Sequence, residues 1–320
     1  MTPVYKFSAN SVKNGRTVYG SMLAGNSTYF SPADRAIFMG GASTSYYTGI
    51  EYINIASAGN AQDFGDIIET RSDWTGCSSS TRGCAAGGRK EDDSTPALIQ
   101  YVTIATAGNA QSFGDLTQGR RYAGSASNET RGLWAGGITN LNVIDYITIA
   151  TTGNATDFGD LVLARYGATG CSSPTRAIFS GGFTTPGDVA KNEVDYVTIA
   201  TAGNATDFGD LSTASGGNMA GSSSTRAVIA LGYTGVAVNT IDYFTIATTG
   251  NATDFGDLTV ARSTGAGTSN SIRAVFVGGF YDSNVIDYVT IATTGNATDF
   301  GDLLVGNSRQ AGFSGGHGGL

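Results

Sequence analysis

The residues of this sequence with the most chemical potential are carboxylates that recur at a fixed spacing. The phrase Asp-Phe-Gly-Asp occurs in five repeats, and the second repeat has Ser112 in place of its first Asp. The last Asp stands 14 residues after a tyrosine in all six copies. In kinases Asp-Phe-Gly holds magnesium, but only beside a Gly-rich loop, a strand lysine and a catalytic loop, and this sequence has none of these. The six carboxylates are Asp66, Asp115, Asp160, Asp210, Asp257 and Asp302.

Recurrence decides how these groups are interpreted. An active site needs a catalytic group once, so a group that is present in every copy is predicted to be structural. We expect these Asp side chains to accept N–H bonds in turns or strands, or to pair with a second repeated group. That second group is an arginine 30 residues after each tyrosine: Arg82, Arg131, Arg176, Arg226 and Arg273, with Arg35 before the first copy. Calcium at the repeated Gly-Asn-Ala-Thr-Asp turns is the alternative, although each turn supplies few of the oxygen ligands that calcium requires.

Other catalytic chemistry has little support. The chain has one histidine, His317, in a Gly-rich tail interpreted as a frayed end, and it has no HxH, HExxH or CxxC motif. Cys77 and Cys171 occupy one repeat position where other copies have residues such as Gly221 or Thr268, so the three cysteines are predicted to be reduced and packed. The sequence therefore predicts no enzyme, no metal site and no cofactor.

Spacing defines the repeat that must position these residues. From Tyr52 to Gly87 is 35 residues, and the same interval separates Tyr101 from Gly136 and Tyr146 from Gly181. The connection from each glycine pair to the next tyrosine varies instead, at 12, 14, 10, 15, 12 and 10 residues. All length variation lies in one connection per repeat, so these connections are predicted to project from one side of a stack of identical units.

Each unit reads as four short strands. These are an apolar run closed by Gly-Gly, an alternating Asp-Tyr-Val-Thr-Ile-Ala-Thr segment, a strand that follows Asp-Phe-Gly-Asp-Leu and ends near Ala-Arg, and a Gly-rich segment suited to a crowded channel. Six such units of 45 to 50 residues predict an all-β, six-bladed β-propeller with four-stranded antiparallel blades, closed by both termini. The propeller is assigned to residues 20–320, and residues 1–19 are an N-terminal arm or a worn first strand.

The order of Gly-Gly, variable loop, acidic residue plus Tyr, Gly-Asn turn, aromatic residue and Arg resembles the kelch repeat. The Arg is present as Arg71, Arg120, Arg165 and Arg262, whereas Ser215 and Asn307 depart from the pattern. The family's usual Trp is replaced by a phenylalanine in every copy: Phe64, Phe113, Phe158, Phe208, Phe255 and Phe300. The longer phrase Thr-Ile-Ala-Thr-Thr-Gly-Asn-Ala-Thr-Asp-Phe-Gly-Asp-Leu resembles repeat proteins of tailed phages of marine bacteria, notably cyanophages. That resemblance implies a structural protein located in the virion.

Charge and composition restrict the partners. The net charge is -8 and only 14% of residues are charged, with no basic stripe, so nucleic acid is excluded as a partner. The sequence has no run of 18 apolar residues, so no membrane insertion is expected. Lys6, Lys13 and Arg16 form a small basic cluster in the arm, which is a second candidate for docking.

The variable loops are the predicted recognition surface, because aromatic and polar residues on loops over a rigid scaffold suit glycan or protein binding. The loops are 42–50, 89–100, 138–144, 183–194, 233–241 and 280–286. The candidate binding residues on them are Tyr46, Tyr47, Arg89, Lys90, Asp92, Tyr233, Phe280 and Tyr281. We therefore expect a tail, fibre or capsid-protrusion module that contacts other virion proteins and a host-surface glycan or protein. A secreted bacterial lectin-like or protein-binding propeller is the alternative.

Overall fold

A computed structural model describes residues 31–138 and 141–320. These residues form an all-β fold of six four-stranded antiparallel blades. The predicted six-bladed β-propeller is confirmed. The predicted arm, residues 1–19, lies outside the described residues. One turn of 3-10 helix, Pro32–Asp34, precedes the first strand. In the described ranges, no helix has the length and hydropathy that crossing a membrane requires.

The four strands of a blade follow one another from the central channel to the rim. The innermost strands are β4 (Thr75–Ser78), β8 (Gly124–Ser127), β12 (Thr169–Ser172), β18 (Met219–Ser222), β22 (Ala266–Ser269) and β26 (Ala311–Ser314). The second strands are β1 (Arg35–Met39), β5 (Arg82–Ala86), β9 (Arg131–Gly137), β13 (Arg176–Ser180), β19 (Arg226–Ala230) and β23 (Arg273–Val277).

The third strands are β2 (Gly49–Asn54), β6 (Leu98–Thr103), β10 (Leu141–Thr148), β16 (Glu193–Thr198), β20 (Thr240–Thr245) and β24 (Val285–Thr290). The outermost strands are β3 (Gln62–Asp66), β7 (Gln111–Asp115), β11 (Thr156–Asp160), β17 (Thr206–Asp210), β21 (Thr253–Asp257) and β25 (Thr298–Asp302). Blades are numbered here by their outermost strands in chain order.

The ring closes in the first blade. Its innermost strand is β26, which pairs antiparallel with β1 so that Ala36 faces Ser314 and Met39 faces Ala311. The first blade therefore joins the last strand of the chain to the first three described strands, as the closure prediction required.

The outermost strand differs from the sequence prediction. The strand is the Thr-Asp-Phe-Gly-Asp segment itself, and it ends before the Leu-to-Arg stretch that we assigned to it. Asp and Gly have poor strand propensity, which is why propensity pointed beyond them. Neighbouring-blade contacts override that preference, because the next blade's turn bonds this edge of the sheet.

That edge contact repeats at all six seams between blades. At the first seam the Gly108 N–H donates to the Phe64 carbonyl at 2.8 Å, and the Ala110 N–H donates to the Asp66 carbonyl at 2.8 Å. The Asn109 Oδ1 atom accepts from the Asp66 N–H at 3.1 Å. The Gly-Asn-Ala turn of one blade thus satisfies the free edge of the blade before it.

The same contact explains the glycine of Asp-Phe-Gly-Asp. The glycine of the phrase has a φ between 142° and 157° in all six copies. In Gly256 the φ is +144°, and a Cβ there would lie 2.5 Å from the Gly295 carbonyl oxygen. The Phe of the phrase is buried at the seam, where Phe64 packs with Ile37 of its own blade and Ile104 of the next. The phrase is accounted for by blade packing.

The repeated arginines have partners other than the predicted Asp side chains. Each of the six lies over the tyrosine of its own blade, as Arg176 does over Tyr196 at 4.2 Å from the ring centroid. Its guanidinium also donates to a carbonyl of the next blade, which for Arg176 is that of Ile246 at 2.8 Å. The predicted pairing with Asp66 and its equivalents is therefore wrong for these arginines, because cation–π stacking and the neighbouring backbone take up the guanidinium.

A second carboxylate lies in the seam instead: it is the residue just before the tyrosine in five of the six blades, and Gln100 takes its place in the second blade. Asp145 accepts the Thr117 N–H at 3.0 Å and pairs with Arg120 at 2.8 Å. Arg165 with Asp195 and Arg262 with Asp287 repeat this arrangement at 3.2 Å and 2.7 Å. These three ion pairs are buried, and each joins two neighbouring blades. Loss of either partner would leave an unpaired charge in the protein interior.

Candidate binding face at the channel mouth

All six variable connections lie on one face of the ring. Each connects the second strand of a blade to the third, and the antiparallel order of strands puts that end on the same side in every blade. The third strands begin inside the predicted loops, so the loops are shorter than expected at their C-terminal ends. The fourth loop also contains a small hairpin of β14 (Phe183–Thr184) and β15 (Val189–Ala190).

The candidate binding residues of the first two loops form a polar cluster. Tyr46 donates its hydroxyl to the Lys90 carbonyl at 3.0 Å, which links the two loops. Lys90 pairs with Glu69 at 2.8 Å, and Asp92 bonds within its own loop to Ser94. Burial is the main cause that raises the pKa of Tyr47 above its usual value, and the negative charge of Glu51 adds to it. In the fifth and sixth loops, Tyr233, Phe280 and Tyr281 are 43%, 38% and 98% exposed.

A ring of six backbone hydrogen bonds surrounds the channel mouth on this face. The residue that follows each repeat tyrosine by 21 positions donates its N–H to the equivalent carbonyl of the preceding blade, at 2.7 to 2.9 Å. The φ angles of all six residues lie between 57° and 68°. The six residues are Asp73, Tyr122, Gly167, Gly217, Thr264 and Arg309.

This mouth ring combines a fixed backbone with varied side chains. A left-handed conformation suits glycine, yet four positions carry Asp, Tyr, Thr or Arg at a cost of about 1 kcal/mol each. Backbone strain that the fold tolerates at a cavity mouth is typical of binding and catalytic sites. The repeat architecture thus presents four different side chains and two glycines at equivalent points around one opening.

The charged side of the mouth is centred on Asp73. Its carboxylate is buried and faces Arg89 Nε at 3.2 Å and Arg309 Nε at 3.3 Å. Arg309 also lies over Phe280, at 4.8 Å from the ring centroid. Burial is the main cause that raises the pKa of Tyr122 to about 12, and the negative charge of Asp73 adds to it. The cluster joins the variable loops of the second and sixth blades, through Arg89 and Phe280, to the mouth ring.

The opposite side of the mouth carries an aromatic strip, defined as Tyr122, Tyr166, Phe183 and Tyr233. Successive ring centroids are 6.0, 5.5 and 6.5 Å apart. Phe183 lies directly over Gly216, where a Cβ would collide with its ring. Tyr166 donates its hydroxyl to Asp188 at 2.6 Å, which fixes its orientation. The absence of a side chain at Gly216 therefore lets the Phe183 ring pack directly on the backbone.

The other end of the channel is closed by a ring of serine hydroxyls. Each serine that ends an innermost strand donates its hydroxyl to the carbonyl of the equivalent serine in the preceding blade; five of these bonds span 2.6 to 2.9 Å. The six are Ser78, Ser127, Ser172, Ser222, Ser269 and Ser314. Between the serine ring and the mouth ring lies a channel cavity of about 110 Å³.

The tail after β26 covers this serine ring, so the frayed-end interpretation of His317 is wrong. His317 Nε2 lies 3.1 Å from both Ser127 Oγ and the Ser78 carbonyl, and its Nδ1 accepts the Gly319 N–H at 3.1 Å. Burial lowers the pKa of His317 below its usual value. The glycines on either side of the histidine let the tail fit this narrow opening. The same Gly-rich composition had suggested a frayed end.

The sequence analysis did not identify most of the residues at the channel mouth. Asp73, Tyr122, Thr264 and Arg309 escaped it because their types differ from blade to blade, and a search for repeated chemistry rejects such positions. Their constant interval after the tyrosine was the available signal. The three cysteines are free and buried, in agreement with the packing prediction. Across the described residues, no group of His, Cys, Asp and Glu side chains has an arrangement that would hold a metal ion.

No model of a known protein family matches the sequence, and a search of curated proteins finds no match either.

Proposed function

We propose that this protein is a non-enzymatic structural module of a phage virion, placed in a tail, fibre or capsid protrusion, which recognises a partner through its loop face. The observation that carries the recognition part is the mouth ring. Six equivalent backbone positions line one opening; four of them carry different side chains and two are glycine. A surface that only had to stack with its neighbours would not need that diversity.

The charged groups at the mouth and in the seams form ion pairs with one another, which favours a binding role over a catalytic one. Asp73, Arg89 and Arg309 are engaged with one another, and the seam carboxylates join blades. A general base or nucleophile must reach a reacting atom, whereas these groups are held by partners in the fold. A rigid, closed ring is well suited to presenting a surface.

The virion assignment rests on the resemblance of the repeated phrase to phage repeat proteins. The low content of charged residues, 14%, also fits a shell or fibre component better than a metabolic enzyme. A secreted bacterial lectin-like propeller is the second candidate, and the aromatic strip favours it, because exposed aromatic rings on loops suit glycan binding. A protein partner on the loop face fits either setting.

Mass spectrometry of purified virions tests the assignment. We expect peptides of this chain at a stoichiometry typical of structural proteins, in particles that have been banded and treated with protease. Particles that lack the protein, while it accumulates in the culture medium of the bacterium that encodes it, would favour the secreted lectin instead.

Two sets of variants then locate the contact surface. One replaces Arg89–Asp93 and Tyr46–Tyr47 with Gly-Ser of equal length, and the other deletes Met1–Arg16. We expect the loop changes to abolish partner binding or virion incorporation. If incorporation and binding survive the loop changes and are lost only with the arm, the loop face is not the contact surface.

A further inference from the structure

Residues 315–320, called the tail below, lie across the closed end of the channel after β26. Four of these six residues are glycine. A Cβ added at Gly316 would lie 2.2 Å from the Ala33 carbonyl oxygen, and one added at Gly319 would lie 1.9 Å from the Ser127 carbonyl oxygen. The tail therefore lies so close to the surrounding backbone that only glycine fits at these positions.

The tail is held by few contacts, and most of them involve one imidazole. Among the hydrogen bonds of the described residues, only those of the Gly315 N–H and of His317 Nε2 connect the tail to the blades. The bond from the Gly315 N–H to the Arg35 carbonyl is long, at 3.3 Å. Glycine has no side chain to bury, so four of the six residues add little hydrophobic stabilisation. His317 is therefore the main attachment of the tail.

The contacts of His317 specify one protonation state. Nε2 lies 3.1 Å from the Ser78 carbonyl oxygen, which can only accept, so Nε2 carries the proton. Nδ1 accepts the Gly319 N–H at 3.1 Å, so Nδ1 must keep its lone pair. A second proton on the ring would be bound to Nδ1 and would point at that N–H group. Formation of the imidazolium thus breaks the turn from His317 to Gly319.

The surroundings of this ring disfavour a positive charge. Burial lowers the pKa of His317 below its usual value, and this effect outweighs the attraction of Glu129. The Glu129 carboxylate is already engaged, because it accepts the Ser80 N–H at 3.0 Å and the Ser80 hydroxyl at 2.7 Å. In the 3-10 turn beside the tail, Asp34 accepts a hydrogen bond from Asn270 at 2.7 Å. The other groups against the tail are serine hydroxyls and backbone carbonyls.

Closure of the ring of blades does not involve the tail. β26 pairs with β1 as far as Ser314, which precedes the tail. The Phe313 ring packs on Gly83 of the second blade, where a Cβ would lie 1.8 Å from it. Gly315 and Gly316 then give the backbone conformational freedom directly after the last paired residue. The tail can therefore leave the channel end while the blades remain closed.

We propose that the tail is an acid-released plug: protonation of His317 detaches residues 315–320 from the serine ring and opens the closed end of the channel. Release exposes the serine hydroxyls and gives the channel cavity of about 110 Å³ a second opening. The plug depends on neither partner binding at the loop face nor the virion location, so this inference goes beyond the proposed function.

The direction of the pH dependence follows from the two states of the tail. The bound tail holds a neutral imidazole with a lowered pKa, whereas the released tail has the ordinary histidine pKa of about 6.5. The released tail therefore binds more protons, and release is favoured progressively as the pH falls below about 6.5.

Nuclear magnetic resonance of the untagged, full-length protein tests the plug. His317 is the single histidine of the sequence, so the imidazole signals report on it alone. We expect a neutral ring with its proton on Nε2 at pH 7.5 and a titration midpoint below about 6.5. The Gly319 amide should lose protection from hydrogen exchange with the same midpoint, by about tenfold or more after correction for the intrinsic exchange rate.

A variant and an internal control make the test specific. His317→Gln keeps a donor for the Ser78 carbonyl and does not titrate, so its Gly319 protection should be unchanged between pH 7.5 and 5. The amides of β26 are the internal control, because they should stay protected while the tail is released. If His317→Gln fails to protect Gly319 even at pH 7.5, the wild-type titration decides alone, through the shared midpoint of ring protonation and lost protection.

Any of four results would overturn the proposal. The first two are a ring with its proton on Nδ1 at pH 7.5 and a titration midpoint at or above about 6.5. The third is Gly319 protection that persists once the ring is protonated. The fourth is an equal acid-induced loss of protection in His317→Gln. Loss of protection in β26 together with the tail would also contradict it, because the first blade would then be opening.

Discussion

Asp242 is buried at the seam between the fourth and fifth blades, and Ser215 occupies the position from which three other seams supply an arginine to the equivalent carboxylate. Asp242 still accepts the Ser212 N–H at 2.9 Å and the Ser212 hydroxyl at 2.8 Å. Burial raises the pKa of Asp242 above its usual range. The seam thus keeps the acceptor that every blade needs and lacks the countercharge.

The first prediction follows from that missing charge. A carboxyl group whose pKa is higher in the folded state binds more protons when the protein is folded than when it is unfolded. Its ionisation therefore lowers the free energy of unfolding as the pH rises above the ordinary pKa of the group. Asp242→Asn removes the ionisation and keeps an acceptor for the Ser212 N–H. We expect the variant to be more stable than wild type at pH 7, with a difference that shrinks as the pH is lowered towards 4. Urea unfolding across this pH range measures the difference.

Asp287→Asn is the control for that experiment, because Asp287 pairs with Arg262 at 2.7 Å. Leaving a buried guanidinium without its partner is expected to cost roughly 3–5 kcal/mol at pH 7. Similar destabilisation by Asp242→Asn would show that the charge of Asp242 is needed and that the seam has a countercharge after all.

The second prediction concerns the repeated phenylalanine. Phe208 is 2% exposed and makes edge-on contacts with Tyr196 and Phe244, at 5.9 and 5.5 Å between centroids. Phe208→Ala should cost roughly 3–5 kcal/mol, because it leaves a cavity between two blades. Phe280→Ala, at a 38% exposed surface position, is the control. A melting temperature within a degree or two of wild type for Phe208→Ala would contradict the packing.

The third prediction tests the capped edge of the blades. A Cβ at Gly256 would lie 2.5 Å from the Gly295 carbonyl oxygen, and its φ is +144°, so Gly256→Ala must separate the turn from the strand or strain both. We expect a loss of roughly 2 kcal/mol or more in unfolding free energy. Gly203→Ala is the matched control, because a Cβ there meets no atom within 4 Å.

Thermal and urea unfolding of these two variants decide the point. Equal stabilities would mean that the close approach of strand and turn is not required. Faster amide hydrogen exchange in the turn at 293–297 of Gly256→Ala alone would locate the loss at the seam.

The fourth prediction concerns acid and His317. Its folded-state pKa is lowered by burial, so the neutral imidazole is bound against the serine ring and protonation favours the unfolded state. Stability should therefore fall as the pH drops below the ordinary histidine pKa of about 6.5. His317→Gln keeps a polar side chain without this ionisation. We expect wild type to lose more stability than His317→Gln between pH 7.5 and 5.5, and equal losses would contradict this account.

Much of the fold was predictable because its signals are periodic. The 35-residue interval predicted the blades, and the alternation around residues such as Tyr196 predicted the third strands. The outermost strand was misplaced because Phe208-Gly209-Asp210 has poor strand propensity, and a neighbouring turn stabilises it. Contacts between blades carry no local sequence signal, since the two partners lie about 40 residues apart.

The candidate site was predictable only in part, for a related reason. Tyr233 and Arg89 lie on loops of varying length, and that variation drew attention to them. Tyr166 and Thr264 lie in connections of constant length, where only the side chain changes. Their proximity follows from ring closure, which brings every blade's connection to one axis, and composition does not encode that geometry.

The capped rim has a consequence for how copies of this protein meet one another. In every blade, the strand that would otherwise offer free N–H and carbonyl groups to a neighbour is bonded by the following turn. A propeller built in this way gives another chain no place to add a strand at its circumference. Copies that are crowded together are therefore expected to meet through the two faces, loops or termini, and not by pairing of edge strands. The rim can therefore lie beside other proteins as an inert spacer.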